Sequence, residues 1–167
     1  MKKSVVNRKI KKLQKDLSRH KPEVKKVQQV VILNSPDSQL DIKKMEKLEK
    51  AMNLHSTSFH IFTVKEKKDN FNELRGLVAD ISDLNLLGNV KNEQIKAFLN
   101  KKYDLLIDFT GLKNELQKYF SLQIKAGFRV GYKTDEDLYD LMLKMKEPNL
   151  EVFINEMQYY LKIIGLI

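Results

Sequence analysis

Short apolar runs alternate with amphipathic segments along most of the chain. The runs VQQVVIL (27–33), SFHIFTV (58–64), YDLLIDF (103–109) and FRVGY (128–132) are rich in β-branched and aromatic residues, which predicts buried strands. Segments between them carry apolar residues three or four positions apart, which predicts helices. This alternation predicts an α/β fold: an open, mostly parallel, Rossmann-like sheet with helices on both faces.

The predicted helices have defined inward faces. After the first strand, NSPDSQ (34–39) predicts a turn and a helix N-cap. The helix that follows places four residues inward: Ile42, Met45, Leu48 and Met52. Further helices are predicted over 91–102 with Asn92 as the cap, 111–123, about 135–145 and 149–163.

Residues 71–90 have no regular period. They mix apolar and acidic side chains, and we expect a short edge strand near Asp83–Leu87. Their role stays open at this point.

An amphipathic helix is predicted at the N-terminus. One face carries four aliphatic residues: Val6, Ile10, Leu13 and Leu17. The other faces carry the cations Lys2, Lys3, Arg8, Lys9, Lys11, Lys12, Lys15 and Arg19. We expect the helix to end or kink near His20, because Pro22 lacks an amide hydrogen.

The net charge of +9 is confined to this end of the chain. Residues 1–26 contain eleven Lys and Arg side chains and two acidic ones, whereas the remaining 141 residues contain twenty of each sign. We therefore divide the chain into a basic amphipathic arm, residues 1–26, and a Rossmann-like α/β domain, residues 27–167.

Three roles for the basic arm are open. Its apolar stripe could pack on its own domain or on another subunit. Its cations could bind the phosphates of nucleic acid or the ribosome, although the first 58 residues contain no Phe, Tyr or Trp for base stacking. It could also lie on an anionic lipid surface, although four aliphatic residues are a small anchor.

Composition excludes several classes of site and location. Without Cys there is no disulfide framework or thiolate chemistry. No apolar stretch approaches the ~18 residues of a membrane span, and none follows the basic start as in a signal peptide, so we expect a cytoplasmic protein. Glycine-rich phosphate loops are absent and His20, His55 and His60 have no metal-ligand spacing, so we expect no cofactor and no metal.

Residues 103–132 carry a resemblance to a known family. The strand, the D-x-x-G-L turn, the helix and the A-x-x-R-x-G strand resemble the N-terminal Rossmann-like domain of lipopolysaccharide heptosyltransferases. The matching positions are Tyr103, Asp104, Asp108, Gly111, Leu112, Ala126, Arg129 and Gly131. The chain also resembles short, uncharacterised bacterial proteins that consist of this half alone.

The resemblance implies an acceptor-binding half without its catalytic partner. In such transferases a second domain binds the nucleotide-sugar, and this chain stops where that domain would begin. The family also places a catalytic-base Asp after a Gly in the loop following the first strand. Asp37 lies near that place, but Pro36 replaces the Gly, which alters the backbone shapes available.

Candidate ligand-binding residues follow the predicted strands, because ligands of open parallel sheets bind at the strands' carboxyl ends. Ser35, Asp37 and Ser38 follow the first strand, and Asp108, Thr110 and Gly111 follow a later one.

The roles of these candidates are open. Asp37 could act as a general base if burial raised its pKa. Ser35, Asp37, Asp108 and Thr110 could instead form turns and helix caps. Arg129 could bind an anion or pair with a carboxylate on a neighbouring helix.

The sequence therefore favours a non-enzymatic binding or assembly module, expected to be a homodimer. One alternative is an enzyme or binding domain for a small anionic or sugar-like molecule at the strand ends. Another is nucleic-acid contact through the basic arm.

Overall fold

One six-stranded sheet forms the centre of the molecule. The computed structural model describes residues 2–17, 24–38, 40–66, 76–132, 134–135, 137–145 and 149–167. The strands are β1 (Val30–Asn34), β2 (Phe59–Val64), β3 (Leu77–Ala79), β4 (Lys102–Asp108), β5 (Lys125–Tyr132) and β6 (Leu141–Leu143). They lie in the order β3-β2-β1-β4-β5-β6, which is the order of a Rossmann-like sheet.

All neighbouring strands of the sheet run parallel. Val30 of β1 aligns with Phe59 of β2 on one side and with Leu105 of β4 on the other. Leu105 in turn aligns with Phe128 of β5. The predicted parallel arrangement of the strands near residues 30, 60, 106 and 130 is therefore confirmed.

Helices cover both faces of the sheet. The described helices are α1 (Lys2–Leu17), α2 (Ile42–Met52), α3 (Glu93–Asn100), α4 (Glu115–Gln123) and α5 (Leu150–Ile163), with short 3₁₀ turns at Ser56–Ser58 and Ile81–Asp83. Buried side chains of α1, α3 and α4 belong to the core on one face. Those of α2 and α5 belong to the core on the opposite face.

Strand β1 shows why the sheet accepts helices on both faces. Its successive side chains point to opposite sides, so Val31 and Leu33 enter one core while Val30 and Ile32 enter the other. All four are fully buried. A strand buried on both faces has no polar positions to alternate with, which explains the continuous apolar run in the sequence.

Two predicted elements are wrong. No helix spans 135–145: Leu141–Leu143 forms β6, which pairs with β5 at the edge of the sheet. The edge strand expected near Asp83–Leu87 lies earlier, at Leu77–Ala79, where it pairs with β2. Residues 71–75 of the irregular segment lie outside the described residues.

Smaller corrections concern helix ends and faces. Helix α4 begins at Glu115, because Asn114 is its N-cap, whereas the sequence placed its start at 111. Asn92 caps α3, as predicted. Met45, Leu48 and Met52 of α2 are buried as expected, but Ile42 is 59% exposed.

Candidate functional site

An open cleft lies at the carboxyl ends of the strands. The chain leaves β1 toward one edge of the sheet and β4 toward the other, so the loops after these neighbouring strands diverge. The cleft has a volume of about 530 Å³ and receives side chains from the loops after β1, β4, β5 and β6. Its polar lining residues are Asp37, Ser38, Thr110, Lys113, Tyr132, Thr134, Asp135 and Lys144.

The loop after β1 is held by its own side chains. The Ser35 hydroxyl, which is buried, donates a 2.6 Å hydrogen bond to Asp37 Oδ1. Ser38 donates its backbone N–H to the Ser35 carbonyl at 3.0 Å and its hydroxyl to the Asn34 side chain. Asp37 also forms an ion pair with Lys113 from the loop after β4. This pair bridges the two loops that diverge at the cleft.

The ionisation of Asp37 does not suit a general base. Partial burial alone would raise the pKa of Asp37, but hydrogen bonds from Lys113 and Ser35 and the charge of Lys113 outweigh burial and lower it below 3.8. A carboxylate with a lowered pKa takes up a proton less readily. The condition under which Asp37 would act as a base, a raised pKa, is not met.

Neither Ser35 nor Asp37 caps the helix that follows. The N-cap of α2 is Asp41, whose side chain accepts the Lys44 N–H at 2.8 Å. The capping role expected for Ser35 and Asp37 is therefore wrong, because four further residues separate Asp37 from the helix start. Their hydrogen bonds shape the loop instead.

Asp108 and Thr110 form the turn at the end of β4. Asp108 Oδ1 accepts the Thr110 N–H at 2.9 Å and the Thr110 hydroxyl at 2.6 Å, and Thr110 Oγ1 accepts the Leu112 N–H at 3.1 Å. Gly111 has a φ of 65°, in the left-handed region where glycine is favoured. The turn thereby directs Lys113 to the cleft before Asn114 starts α4.

The other oxygen of Asp108 is enclosed in a buried polar network. Asp108 Oδ2 accepts hydrogen bonds from the Ser121 hydroxyl at 2.9 Å and from the Tyr139 hydroxyl at 2.7 Å. Burial raises the pKa of Asp108, against the lowering effect of its hydrogen bonds from Thr110, Tyr139 and Ser121. With no exposed surface, this carboxyl supports the floor of the cleft and does not face a ligand.

Arg129 belongs to the same interior network. Its guanidinium donates to the Leu138 carbonyl at 3.0 Å, the Ile124 carbonyl at 3.1 Å, and the Ser121 carbonyl and hydroxyl at 2.8 and 3.1 Å. Burial lowers the pKa of Arg129, and the charges of Tyr139, Asp108 and Asp140 oppose this effect. The side chain therefore joins the end of α4 to the segment before β6, away from the cleft lining.

Gly131 makes room for the network. A Cβ at this position would lie 2.4 Å from the Tyr139 ring, closer than real Cβ contacts allow. Asp108, Arg129 and Gly131, three residues of the heptosyltransferase-like passage, thus meet around Tyr139 and Ser121. Asp104, a fourth, accepts the N–H groups of Gln28 and Gln29 at 2.9 and 2.8 Å. In this chain these motif positions hold the sheet and its connections together.

The sequence missed several residues of the cleft. Lys113 lies two positions after Gly111, inside the helix that the pattern predicts over 111–123, and a helical position there does not indicate the cleft. Lys144 was hidden by the mistaken helix over 135–145. Tyr132 is the last residue of β5, and Thr134 and Asp135 come shortly after it, so the carboxyl end of this strand predicts all three as it predicts the residues after β1 and β4.

The described histidines occupy structural positions. His60 contacts the Gln29 side chain at 2.7 Å, and its pKa is lowered by burial and by the charge of Lys101. The His55 side chain accepts the Thr57 N–H and caps a 3₁₀ turn. Among the described residues, no group of three or more His, Cys, Asp or Glu side chains could bind a metal ion.

The apolar stripe of α1 packs into the core of its own fold, mainly against α4. Val6 and Ile10 are buried in the core, and Leu13 and Leu17 pack partly buried against it. The exposed cations on the outer side of the helix include Arg8, Lys11, Lys12 and Lys15, while Lys9 contacts the Asn89 side chain. The side chains of Lys2 and Lys3, and all of Arg19, lie outside the described part of the chain. The boundary at residue 26 between a basic arm and a Rossmann-like domain stays a prediction.

The fold and the cleft define an open α/β protein of the Rossmann-like type. The chain belongs to the family of unknown function DUF6913, whose model matches residues 2–164. Neither the curated proteins nor the solved structures gave a match to the chain. Within the described residues, no helix combines the length and the apolar character needed to cross a membrane.

Proposed function

We propose that the chain is a non-enzymatic binding module that accepts a small, anionic, sugar-like molecule in the cleft at the strand ends. The observation that carries this proposal is the convergence of two lysines, Lys113 and Lys144, with hydroxyl and carboxylate groups at the position where open parallel sheets bind ligands.

The chemistry of the lining suits a phosphorylated or carboxylated sugar. Lys113 and Lys144 can each bind an anionic group through a point charge. Asp37 and Asp135 can accept hydrogen bonds from sugar hydroxyls, and the Tyr132 ring offers an apolar face. The resemblance of residues 103–132 to the acceptor half of heptosyltransferases supports a ligand of this class.

Binding without turnover is favoured by the state of two carboxyl groups. Asp37 is paired with Lys113 and its pKa is lowered, which makes it a weak base. Asp108 is fully enclosed by its hydrogen-bond donors and has no exposed surface.

Calorimetric titration with glucose 6-phosphate, other hexose and heptose phosphates, and their parent sugars tests the proposal. We expect a phosphorylated sugar to bind and Lys113→Ala or Lys144→Ala to weaken binding about tenfold each. Lys43→Ala on α2 is the matched control, because it removes an exposed cation outside the cleft. Equal affinity in all three variants would contradict the site, and conversion of the bound sugar would contradict the non-enzymatic role.

A specific surface also favours assembly as a second function. Strand β6 is an edge strand, and with α5 it borders a groove lined by the exposed side chains of Met142, Val152 and Tyr160. Lys144 and Glu156 line the same groove, so two copies related by a twofold axis could place these opposite charges against each other.

Light scattering after size exclusion tests the assembly. We expect a dimer at micromolar concentration that Val152→Glu converts to a monomer, while Ile42→Glu, an equivalent change at an exposed residue of α2, leaves it a dimer. A monomeric native protein would contradict this second function and would leave the cleft untouched.

A further inference from the structure

The segment 84–90 forms a tight turn with two leucines at its tip. Leu84 and Val90 form an antiparallel bridge, and the Gly88 N–H donates to the Asn85 carbonyl at 3.0 Å. Leu86 and Leu87 are therefore the two central residues of a β-turn. Their side chains are 61% and 69% exposed.

This turn is fixed to the body of the protein. The Asn85 side chain accepts the N–H groups of Leu87 and Asn89 at 2.9 and 3.0 Å. The buried Tyr119 hydroxyl of α4 donates to the Gly88 carbonyl at 2.9 Å. Gly88 has a φ of 68°, and a Cβ there would lie 3.2 Å from Val5 Cγ1 of α1. The leucine pair is thus presented by a rigid support.

Central turn positions usually carry Gly, Pro, Asn, Asp or Ser, each for a conformational reason. Two leucines at such positions supply no turn chemistry and leave apolar surface in water. Asn85 and Gly88 alone provide the side-chain hydrogen bonds and the positive φ that the turn needs. The two exposed leucines therefore indicate that this turn contacts an apolar partner that is separate from the protein itself.

One cation lies directly beside the turn, and others follow it along the same helix. Lys9 of α1 contacts the Asn89 side chain, and its Cδ would be 3.6 Å from a Cβ at Gly88. Four further exposed cations continue along the same helix: Arg8, Lys11, Lys12 and Lys15. Within α1, Asp16 is the only acidic residue.

We propose that α1 and the Leu86–Leu87 turn form a surface that docks on an anionic lipid bilayer. The leucines enter the interface, and the cations of α1 bind the anionic headgroups. The charge complementarity favours an anionic partner, and the apolar tip selects lipid over nucleic acid, because leucine gives neither base stacking nor hydrogen bonds to bases. This surface is separate from the cleft and does not depend on its ligand.

A single tryptophan makes the docking directly visible. The chain has no Trp, so Leu87→Trp introduces the only indole in an exposed position. We expect its emission to shift to shorter wavelength with phosphatidylcholine–phosphatidylserine vesicles and to stay unchanged with pure phosphatidylcholine. Ile42→Trp, at another exposed residue, on α2 at the opposite face of the sheet, is the control, and its emission should not shift with either kind of vesicle.

Vesicle co-sedimentation of the full chain separates the two parts of the surface. We expect Leu86→Asn with Leu87→Asn to weaken binding at least about tenfold, and Arg8→Ala or Lys11→Ala to weaken it about fivefold each. Lys43→Ala with Lys50→Ala removes two exposed cations from α2 and should change binding by less than about twofold. Circular dichroism checks that each variant keeps its fold.

Three outcomes would overturn the proposal. The first is no vesicle binding by the native chain. The second is vesicle binding that survives the two asparagine substitutions. The third is binding of RNA, without any shift of Leu87→Trp emission on vesicles, which would assign the cations to nucleic acid.

Discussion

The phenol of Tyr139 donates a 2.7 Å hydrogen bond to the carboxyl of Asp108, 31 positions earlier in the chain. Both side chains are buried, and the bond joins the end of β4 to the segment that leads into β6. Since Asp108 also fixes the Thr110 turn, the position of the cleft floor depends on a contact made far away in sequence.

Tyr139→Phe should lower the free energy of unfolding by about 1–3 kcal/mol, because it removes one donor from a buried carboxyl without changing the ring packing. Urea unfolding measures the change. Tyr160→Phe, at an exposed tyrosine of α5, is the control and should leave stability within about 0.5 kcal/mol. Equal stability of both variants would show that the buried bond contributes nothing.

Gly131→Ala should destabilise the fold by about 1–3 kcal/mol, because its Cβ would lie 2.4 Å from the Tyr139 ring. The same substitution in a Tyr139→Ala background should cost much less, since the obstructing ring is gone. Urea unfolding of the four proteins gives the coupling. Additive costs would mean that the ring is not the obstacle.

The pKa values of Asp108 and Asp37 should be shifted in opposite directions from 3.8. Burial raises the folded-state pKa of Asp108, so its stabilising contribution is fully present below about 3.8 and is lost as pH rises through the raised pKa. For Asp37 the lowered pKa gives a contribution that is present above 3.8 and is lost as pH falls through the lowered value. Carbon-13 carboxyl NMR assigns both. A lower pKa for Asp108 than for Asp37 would contradict the burial and pairing described.

Asp41→Ala should lower Tm by about 2–4 °C, because it removes the N-cap of α2. Lys113→Ala, which removes the exposed ion pair with Asp37 but leaves the Ser35 hydrogen bond in place, should lower Tm by less than about 1 °C. Differential scanning calorimetry compares the two variants. A larger loss of Tm for Lys113→Ala than for Asp41→Ala would contradict the small contribution expected of an exposed pair.

The central strands could be read from the sequence because they are buried on both faces. Val30 to Leu33 have no polar neighbours to alternate with, so the run stands out from the amphipathic segments around it. Edge strands lack this signal. Within the described sheet Leu141–Leu143 pairs with one strand alone, Met142 is exposed, and the spacing of the apolar residues also fits a helix.

The site was predictable where chain order alone determines position. Asp37, Ser38, Thr110 and Gly111 lie in the loops after β1 and β4, within four residues of the strand ends, and the cleft includes all four. Lys144 directly follows β6, but the apolar spacing of this segment also predicts a helix, so the sequence does not indicate that Lys144 lies at a strand end. The network that joins Asp108, Ser121, Arg129 and Tyr139 connects distant positions whose pairing only the folded chain determines.

Proton–nitrogen NMR of the labelled chain during titration with glucose 6-phosphate and the other sugar phosphates tests the central claim most directly. We expect the largest amide shifts at Thr110, Gly111 and Lys113 and at Lys144, and we expect Lys113→Ala with Lys144→Ala to abolish them. Absence of shifts with every sugar phosphate, or shifts that persist in the double variant, would contradict a ligand site in this cleft.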